Sequence, residues 1–490
     1  MPASDLRLDG IETVVDRLAQ IVGPAHVLAE PGVAVAGMRP AVQVTPGNEQ
    51  ELARILAFAS ENGLGVLVTG GGTKLGWGNP PSKSDILVGL GGLTGITEFD
   101  PENLSLCARA GTSISAIMAA AGQAGVLVPL DSDLPERATV GGVVATGDQG
   151  ARRMMYGGVR DVVLGLKAVL ADGSQVAFGG RTMKNVTGYD LTKLFVGSFG
   201  SLGVITEVTF RLLPCPAASG LAVLQVRTLR EARTLIEDLL ASPLEPVCLE
   251  VLSPGIVPLL GGEASEILHL HPGGEGPTLL AGFQGHSAAV ERSLSDLAAR
   301  FEAVTSVAEV PAATAAAATT LSAAAAPVSA PGRGVGGSGA RCFAVTDAAS
   351  VARVYRALAG LRHCASQAGL PIVAKVDLPL SEVWDFTALA VPTTTEGPTF
   401  AYRVSAGSGC VQLYLGRDEA ADGLGRRLVE LRGRAEAAGG HLVVMQGGET
   451  LGADLDVWGD IGSSVGVMKA LKARFDPDGI LNPGRFVVGL

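Results

Sequence analysis

The sequence predicts an α+β protein that combines a two-lobed domain with a ferredoxin-like α+β cap. Three observations lead to this class. A strand–helix–strand unit occupies 41–90, short β segments fill 96–213, and strand–helix pairs recur over 216–440. Such pairs are typical of an antiparallel sheet covered by helices. We therefore divide the chain into 1–215, the cap at 216–440, and a C-terminal segment at 441–490.

The first unit places a glycine-rich loop at the end of a strand. Asn48, with Glu51 three residues later, predicts the start of a helix that Gly63 ends. A short buried strand over 65–69 follows, and then the loop. Parallel strands joined by a helix bring such loops to the carboxyl edge of a sheet, where α/β proteins bind ligands.

The next two regions carry weaker signals. Within the second lobe, Asp172-Gly173 marks a hairpin turn between two β segments. In the cap, helices with apolar residues at helical spacing alternate with strands, and we expect those helices on one face of the sheet. The Ala-rich segment 312–339 is of low complexity; its beginning is compatible with a helix, and its end predicts a flexible linker or exposed loop.

The composition excludes several functional classes. Apolar residues make up 47% of the 490 residues and charged residues 17%, and the net charge is -11. An acidic chain is a poor general binder of nucleic acid or anionic membranes. The sequence shows neither a signal peptide nor a run long enough to predict a membrane span. The six cysteines form no CxxC pair, so we expect reduced thiols, no metal or cluster site, and a cytoplasmic protein.

The loop VTGGGTKLG (68–76) has two interpretations. Successive glycine amides form a concave nest that suits phosphate oxygens, whereas the alternative is an ordinary mobile loop. The order of its residues matches neither GxxxxGK[ST] nor GxGxxG. Two further glycine clusters lie at 138–150 and 197–208. Each alone is explained by turns and tight sheet packing, but three in series favour a shared ligand.

Four segments carry a family resemblance: VTGGGTKLG, PLDSDLPERATVGGVVAT (129–146), MKNVTGYDLTKLFVGSFGSLGVITEVTFRLLP (183–214) and MKALKARFDPDGILNPGRF (468–486). In them the chain resembles FAD-binding oxidoreductases of the PCMH (vanillyl-alcohol oxidase) type. The resemblance covers about 40–214 and the C-terminal segment, and it implies that this segment returns to the FAD-binding domain.

The resemblance also implies which residues hold the cofactor. The first loop would cradle the FAD pyrophosphate, the second segment would line the pyrophosphate, ribityl and flavin side, and the third would pass beside the cofactor. The implied residues are Thr69, Gly70, Gly71, Gly72, Thr73, Lys74 and Gly76 in the first segment, Asp131, Thr139, Gly141, Gly142, Ala145 and Thr146 in the second, and Gly203, Val204 and Ile205 in the third.

The mode of cofactor attachment follows from what the segments lack. Members of the family that bind flavin covalently use a His or Cys near the first or second loop, and 65–82 and 129–160 contain neither. We therefore expect noncovalent FAD. Lys74, Arg152 and Arg153 are near enough in sequence to offset phosphate charge, although a solvated surface position is the more common role for each.

Within the family, the chain looks most like the FAD-binding E-type subunit of bacterial glycolate oxidase. That resemblance implies an iron–sulfur subunit and a second flavoprotein as partners, and attachment to the inner membrane only through a partner. The implied reaction is hydride transfer from a small 2-hydroxyacid to flavin N5, or a relay of electrons to the iron–sulfur partner. The alternatives are a stand-alone FAD oxidase that uses O₂ on an alcohol or sugar, and a non-catalytic protein that has kept the fold.

The residues do not identify a catalytic base or a metal site. Lys184, Asn185 and Tyr189 resemble residues near the flavin ring in the family, and Arg403 lies on a predicted cap strand as a candidate carboxylate clamp. We assign none of them a catalytic role. The metal-site motifs of the 2-hydroxyacid dehydrogenase branch are absent, and His441 is expected as polar filler at a strand start, so we predict no metal.

Overall fold

The structure is a computed structural model that describes residues 8–181, 189–271, 274, 276–307, 340–391, 400–416, 421–451 and 455–490. The insertion 312–339 lies outside the described residues, as do Lys184 and Asn185. Within the described part of the chain, no helix combines the length and apolar composition needed to cross a bilayer.

The first lobe is a small, mostly parallel sheet. Its strands are β1 (Val27–Ala29), β2 (Val42–Val44), β3 (Val66–Thr69) and β4 (Ile86–Gly89), and its helices are α1 (Leu8–Val22) and α2 (Glu49–Glu61). The order is β1-β2-β4-β3, and β4 runs parallel to both β2 and β3. The Asn48 side chain accepts the Glu51 amide at 2.9 Å, which confirms the predicted helix start. The glycine loop therefore leaves β3 at the carboxyl edge of parallel strands.

The second lobe is antiparallel. Its strands are β5 (Ile96–Asp100), β6 (Ser105–Arg109), β7 (Val126–Leu127), β8 (Val163–Val169), β9 (Gln175–Gly179), β10 (Val204–Arg211) and β11 (Leu213–Pro214). Its helices are α3 (Ile114–Gln123), α4 (Val140–Thr146), α5 (Arg153–Tyr156), α6 (Val159–Val162) and α7 (Thr192–Phe195). Five strands form one sheet in the order β5-β6-β10-β8-β9. The predicted hairpin joins β8 to β9, with Gly173 at φ +82°. One hydrophobic cluster spans both lobes.

The cap is a single antiparallel sheet of eight strands. They are β12 (Ala218–Gln225), β13 (Cys248–Leu252), β14 (Thr278–Gly285), β15 (Arg341–Val345), β16 (Ile372–Asp377), β17 (Phe400–Ser405), β18 (Cys410–Leu415) and β19 (His441–Gln446). Their order is β15-β12-β14-β13-β17-β18-β16-β19. The helices are α8 (Leu229–Leu240), α9 (Gly262–Ile267), α10 (Ser287–Val307), α11 (Ala348–Gln367), α12 (Val383–Ala390) and α13 (Ala421–Ala437).

The expectation that the cap helices lie on one face is wrong. Ala222 and Leu224 of β12 belong to the cluster that contains α8, α10, α12 and α13, whereas Leu221 and Val223 belong to the cluster that contains α9 and α11. Because alternate residues of a strand point to opposite faces, the sheet is covered on both. The unbroken apolar run at 221–224 is typical of such a strand.

The C-terminal segment returns to the first lobe after it leaves the cap. Strand β19, where the predicted C-terminal segment begins, pairs with β16 of the cap sheet. Helix α14 (Val465–Phe475) follows, and Leu481 then lies beside Val66 in a parallel bridge. The buried Lys472 ammonium donates to the Ser201 carbonyl at 2.9 Å and to Asp476 at 2.6 Å. This anchor fixes the final loop against the glycine-rich segments.

Candidate functional site

The three glycine-rich segments and the C-terminal loop line one open cavity. Fourteen of the sixteen residues predicted for the cofactor site lie on its wall: Thr69, Gly70, Gly71, Gly72, Thr73, Lys74, Thr139, Gly141, Gly142, Ala145, Thr146, Gly203, Val204 and Ile205. Segments separated by more than 100 residues in sequence therefore converge on one space.

The first loop needs its glycines to fit against the second segment. A β-carbon on Gly70 would collide with the Thr139 hydroxyl, and one on Gly71 would collide with the Arg137 carbonyl oxygen. Gly72 has φ +72°, a conformation that favours glycine. Among the described residues, no protein acceptor receives a hydrogen bond from the amides of Gly70, Gly71 or Gly72. These amides are therefore free to bind an anionic group.

The second segment contributes the short helix α4. Thr139 caps it, and its hydroxyl accepts the Gly142 amide at 3.4 Å. Val140, Val143 and Val144 are fully buried in the core of the domain, while small residues of the helix face the cavity. This division explains why a glycine-rich sequence is helical here, since the valines anchor one face and the glycines leave room on the other.

The third segment passes over the cavity as the turn into β10. Phe199 has φ +55° and Gly200 φ +68°, and the Phe199 amide donates to the Ala145 carbonyl at 2.8 Å. The Phe199 ring packs edge-on against Trp458, with centroids 4.7 Å apart, and stacks with Phe486. Residues from the C-terminal segment thus hold the third segment in place.

Two residues of the C-terminal loop line the cavity and were not predicted as site residues. Asn482 accepts the Val68 amide at 3.2 Å and donates to the Phe199 carbonyl at 2.5 Å. Arg485 donates to the carbonyls of Leu75 and Trp77. Its Nε atom is buried without a partner in the described structure, and burial lowers the pKa of Arg485 to about 10. The quoted segment 468–486 contained both residues, but its sequence gave no sign of which side chains turn inward.

Two predicted residues do not line the cavity. Asp131 is buried and accepts from Arg152 at both the amide (2.9 Å) and Nε (2.8 Å). Although burial opposes the charge of Arg152, the Asp131 carboxylate raises the pKa of that arginine. Gly76 lies in the first loop but outside the cavity wall.

The three cations near the loops take different positions. Lys74 lines the cavity and pairs with the buried Asp148 at 3.2 Å, so the solvated alternative is wrong for it. It is also wrong for Arg152, which is held by Asp131. Arg153 is exposed, as the solvated alternative expects.

The remaining candidates are not part of the cavity. Arg403 is buried in the cap sheet, where its Nε binds Glu250 at 2.8 Å and its Nη1 donates to the Leu358 carbonyl. It is therefore fully engaged within the cap and unavailable as a clamp. Tyr189 is 96% exposed. His441 begins β19 and is half-buried. No group of three or more metal-ligating side chains occurs in the described residues.

Comparison with known protein families identifies two regions. Residues 40–179 match the FAD binding domain, and residues 462–486 match the C-terminal domain of FAD linked oxidases. The first region holds two of the glycine-rich segments, and the second holds the cavity residues Asn482 and Arg485. The family matches and the cavity thus point to the same cofactor.

Two relatives of known name match part of the chain. Glycolate oxidase subunit GlcD of Bacillus subtilis is 33% identical over 44% of this chain and 45% of its own length. Glycolate oxidase subunit GlcE of Escherichia coli is 44% identical over 31% of this chain and 43% of its own length. The chain therefore aligns with less than half the length of either relative.

A solved structure extends the comparison to the whole fold. The substrate-bound p-cresol methylhydroxylase structure covers 98% of this chain and 97% of its own, with a TM-score of 0.67 and 16% identity. Fold and cavity together define a two-domain flavoprotein. Residues 40–179 carry an FAD binding domain, the whole fold is shared with p-cresol methylhydroxylase, and the cofactor is FAD.

Proposed function

We propose that this protein is an FAD-dependent oxidoreductase acting on CH–OH groups, the flavoprotein subunit of a glycolate or other 2-hydroxyacid dehydrogenase. One observation carries the proposal: three glycine-rich segments of an FAD-binding chain converge on a cavity where the amides of Gly70, Gly71 and Gly72 have no protein acceptor among the described residues. The names of the GlcD and GlcE relatives support the substrate class.

The cavity residues hold the cofactor without a covalent bond. The amides of Gly70, Gly71 and Gly72 and the ammonium of Lys74 would hold the pyrophosphate, because main-chain donors and a cation suit phosphate oxygens. The small residues of α4 leave space for the ribityl and flavin moieties. Among the described residues no histidine or cysteine lines the cavity, which supports noncovalent attachment.

The chain's own contribution to the reaction is binding and exclusion of water. When bound, FAD supplies the acceptor for a hydride from the 2-hydroxyacid carbon. The protein orients the cofactor through backbone contacts, and the cap covers the first loop by packing on Trp77, which is 3% exposed. An iron–sulfur subunit and a second flavoprotein would be the partners that accept the electrons. The protein works in the cytoplasm, and a partner brings it to the inner membrane.

The test is an absorption spectrum of the purified protein followed by anaerobic bleaching. We expect a flavin spectrum, release of FAD into the supernatant on acid precipitation, and bleaching by glycolate or D-lactate. Bleaching only when the partner subunits are added assigns the relay role. A preparation that stays colourless after FAD is added contradicts the proposal, as does rapid peroxide production from an alcohol or sugar by the isolated chain.

A further inference from the structure

Helix α11 of the cap reaches the flavin domain with two side chains. Tyr355 and Arg362 lie two turns apart on one face of the helix. The Tyr355 ring lies 5.4 Å from the Arg152 guanidinium carbon, and Arg362 Nη2 donates to Asp148 Oδ1 at 2.5 Å. Arg152 and Asp148 both follow α4, whose small residues line the cavity. One cap helix therefore contacts the segment next to the cofactor site twice.

Asp148 joins that helix to the glycine loop. Its other oxygen pairs with the Lys74 ammonium at 3.2 Å, and the side chains of Asp148, Lys74 and Arg362 are only 1%, 7% and 9% exposed. Burial opposes the ionised carboxylate, but the two cations outweigh it and hold the pKa of Asp148 below its ordinary value. The three side chains form one ion cluster, which we call the interdomain cluster.

Aromatic and acidic neighbours complete its surroundings. The Trp77 ring has the Arg362 guanidinium carbon 4.8 Å from its centroid and the Lys74 nitrogen 5.7 Å from it, within the range of cation–π attraction. Asp133 lies beside the cluster, its Oδ1 has no partner among the described residues, and burial raises its pKa. Arg362 is thus a cationic side chain of the cap that lies beside two buried acidic side chains of the flavin domain, Asp133 and Asp148.

We propose that Arg362 is a positioning residue for the cofactor: through Asp148 it fixes the Lys74 ammonium at the cavity wall and seats the cap on the flavin domain. The proposal rests on the proposed function, in which the cavity holds FAD. Replacing Arg362 by a neutral residue removes one positive charge beside the cavity and, within the described part of the chain, leaves Lys74 as the only cation paired with Asp148. When the carboxylate of Asp148 neutralises the Lys74 ammonium alone, that ammonium attracts the negative charge of a pyrophosphate less strongly.

The test is a mutant cycle read by the FAD dissociation constant of the apoprotein, from quenching of FAD fluorescence. We expect Arg362→Gln to weaken FAD binding about tenfold and Arg362→Lys to restore most of the loss. In a Lys74→Gln background, Arg362→Gln is expected to add less than a twofold effect, because Arg362 acts through Lys74. Arg403→Gln, a buried arginine paired within the cap, is the matched control and leaves the dissociation constant of the folded protein within twofold.

Each outcome decides the matter. If the wild-type protein binds no FAD, the proposed function fails; if it binds FAD and Arg362→Gln binds it equally well, only the positioning role fails. An equal loss with and without the Lys74 substitution also overturns it, because that pattern marks general destabilisation. Should Arg362→Gln not fold, the cycle is run with Arg362→Lys, whose expected loss of about threefold disappears in the Lys74→Gln background.

Discussion

The flavin domain and the cap make their polar contacts with different chemical groups. The cavity of the flavin domain is lined mainly by glycine and other small residues, whose main-chain amides make the polar contacts. The cap contributes charged side chains in buried pairs, such as Arg403 with Glu250 and, across the boundary, Arg362 with Asp148. A site made from backbone leaves glycine clusters that can be recognised in sequence, whereas paired side chains leave no local pattern. The family models match 40–179 and 462–486, regions that hold two of the glycine clusters and the C-terminal loop.

The largest expected effect follows from removing a buried ion pair of the cap. Arg403 and Glu250 have side chains only 5% and 1% exposed, so Arg403→Gln leaves a buried carboxylate without its cation. We expect a loss of about 3–5 kcal/mol in the free energy of unfolding, measured by urea denaturation. The exposed pair of Arg434 with Glu430 supplies the control, since Arg434→Gln is expected to cost less than about 1 kcal/mol. Equal losses for the two variants contradict the prediction.

The next largest effect is expected in the glycine-rich first loop of the flavin domain. A β-carbon at Gly71 meets the Arg137 carbonyl, so Gly71→Ala displaces the loop from the second segment. We expect FAD to bind about 100-fold more weakly, measured by titration of the apoprotein. Gly76→Ala is the matched control in the same loop, because a β-carbon there meets no atom within 4 Å. Similar affinities for the two variants show that the loop does not hold the cofactor.

A smaller effect is expected where the C-terminal loop supports the cavity. Asn482→Ala removes the hydrogen bonds to Val68 and Phe199, and we expect about tenfold weaker FAD binding in the same titration. Asn79→Ala is the control, since Asn79 also makes two hydrogen bonds to the C-terminal segment, to Asp456 and Val457, but does not line the cavity. The prediction fails if both variants lose affinity alike.

The last prediction needs no mutation and compares how fast the thiols of the two domains react with a labelling reagent. Burial raises the pKa of Cys248 to about 12 and that of Cys410 to about 11, so at pH 8 about 0.1% or less of either is thiolate. Cys215, at the end of the flavin domain, is exposed. We expect a chromogenic disulfide reagent to modify Cys215 within minutes and these cap thiols only after unfolding, as located by peptide mass spectrometry. Rapid labelling of Cys248 in the native protein contradicts a tightly packed cap.

Local signals in the sequence were sufficient for most elements. The helix start at Asn48 and the hairpin at Gly173 depend on residues close in sequence, and the structure confirms both. The two covered faces of the cap sheet were missed, although the apolar run at 221–224 carried the signal. An unbroken apolar run lacks the period of two that a strand with one solvent-facing side shows, and strand–helix alternation alone does not distinguish one covered face from two.

The site was predictable only as far as main-chain chemistry defines it. Glycine clusters marked the three converging segments, but Asp131 was expected at the cavity and instead binds Arg152. The sequence around Asp131 does not predict its pairing with Arg152, 21 residues away, and the sequence around Arg362 does not predict its pairing with Asp148, 214 residues away. Side-chain pairing of this kind depends on the packed fold and not on spacing.

The amide-lined cavity has a practical consequence for protein engineering. Main-chain donors are shared by all residues except proline, so side-chain changes in the cap outside α11 leave in place the amide donors of the first loop that line the cavity. Libraries can therefore vary exposed cap positions away from α11, with buried pairs such as Arg403 and Glu250 left intact, while every variant is screened by its yellow colour.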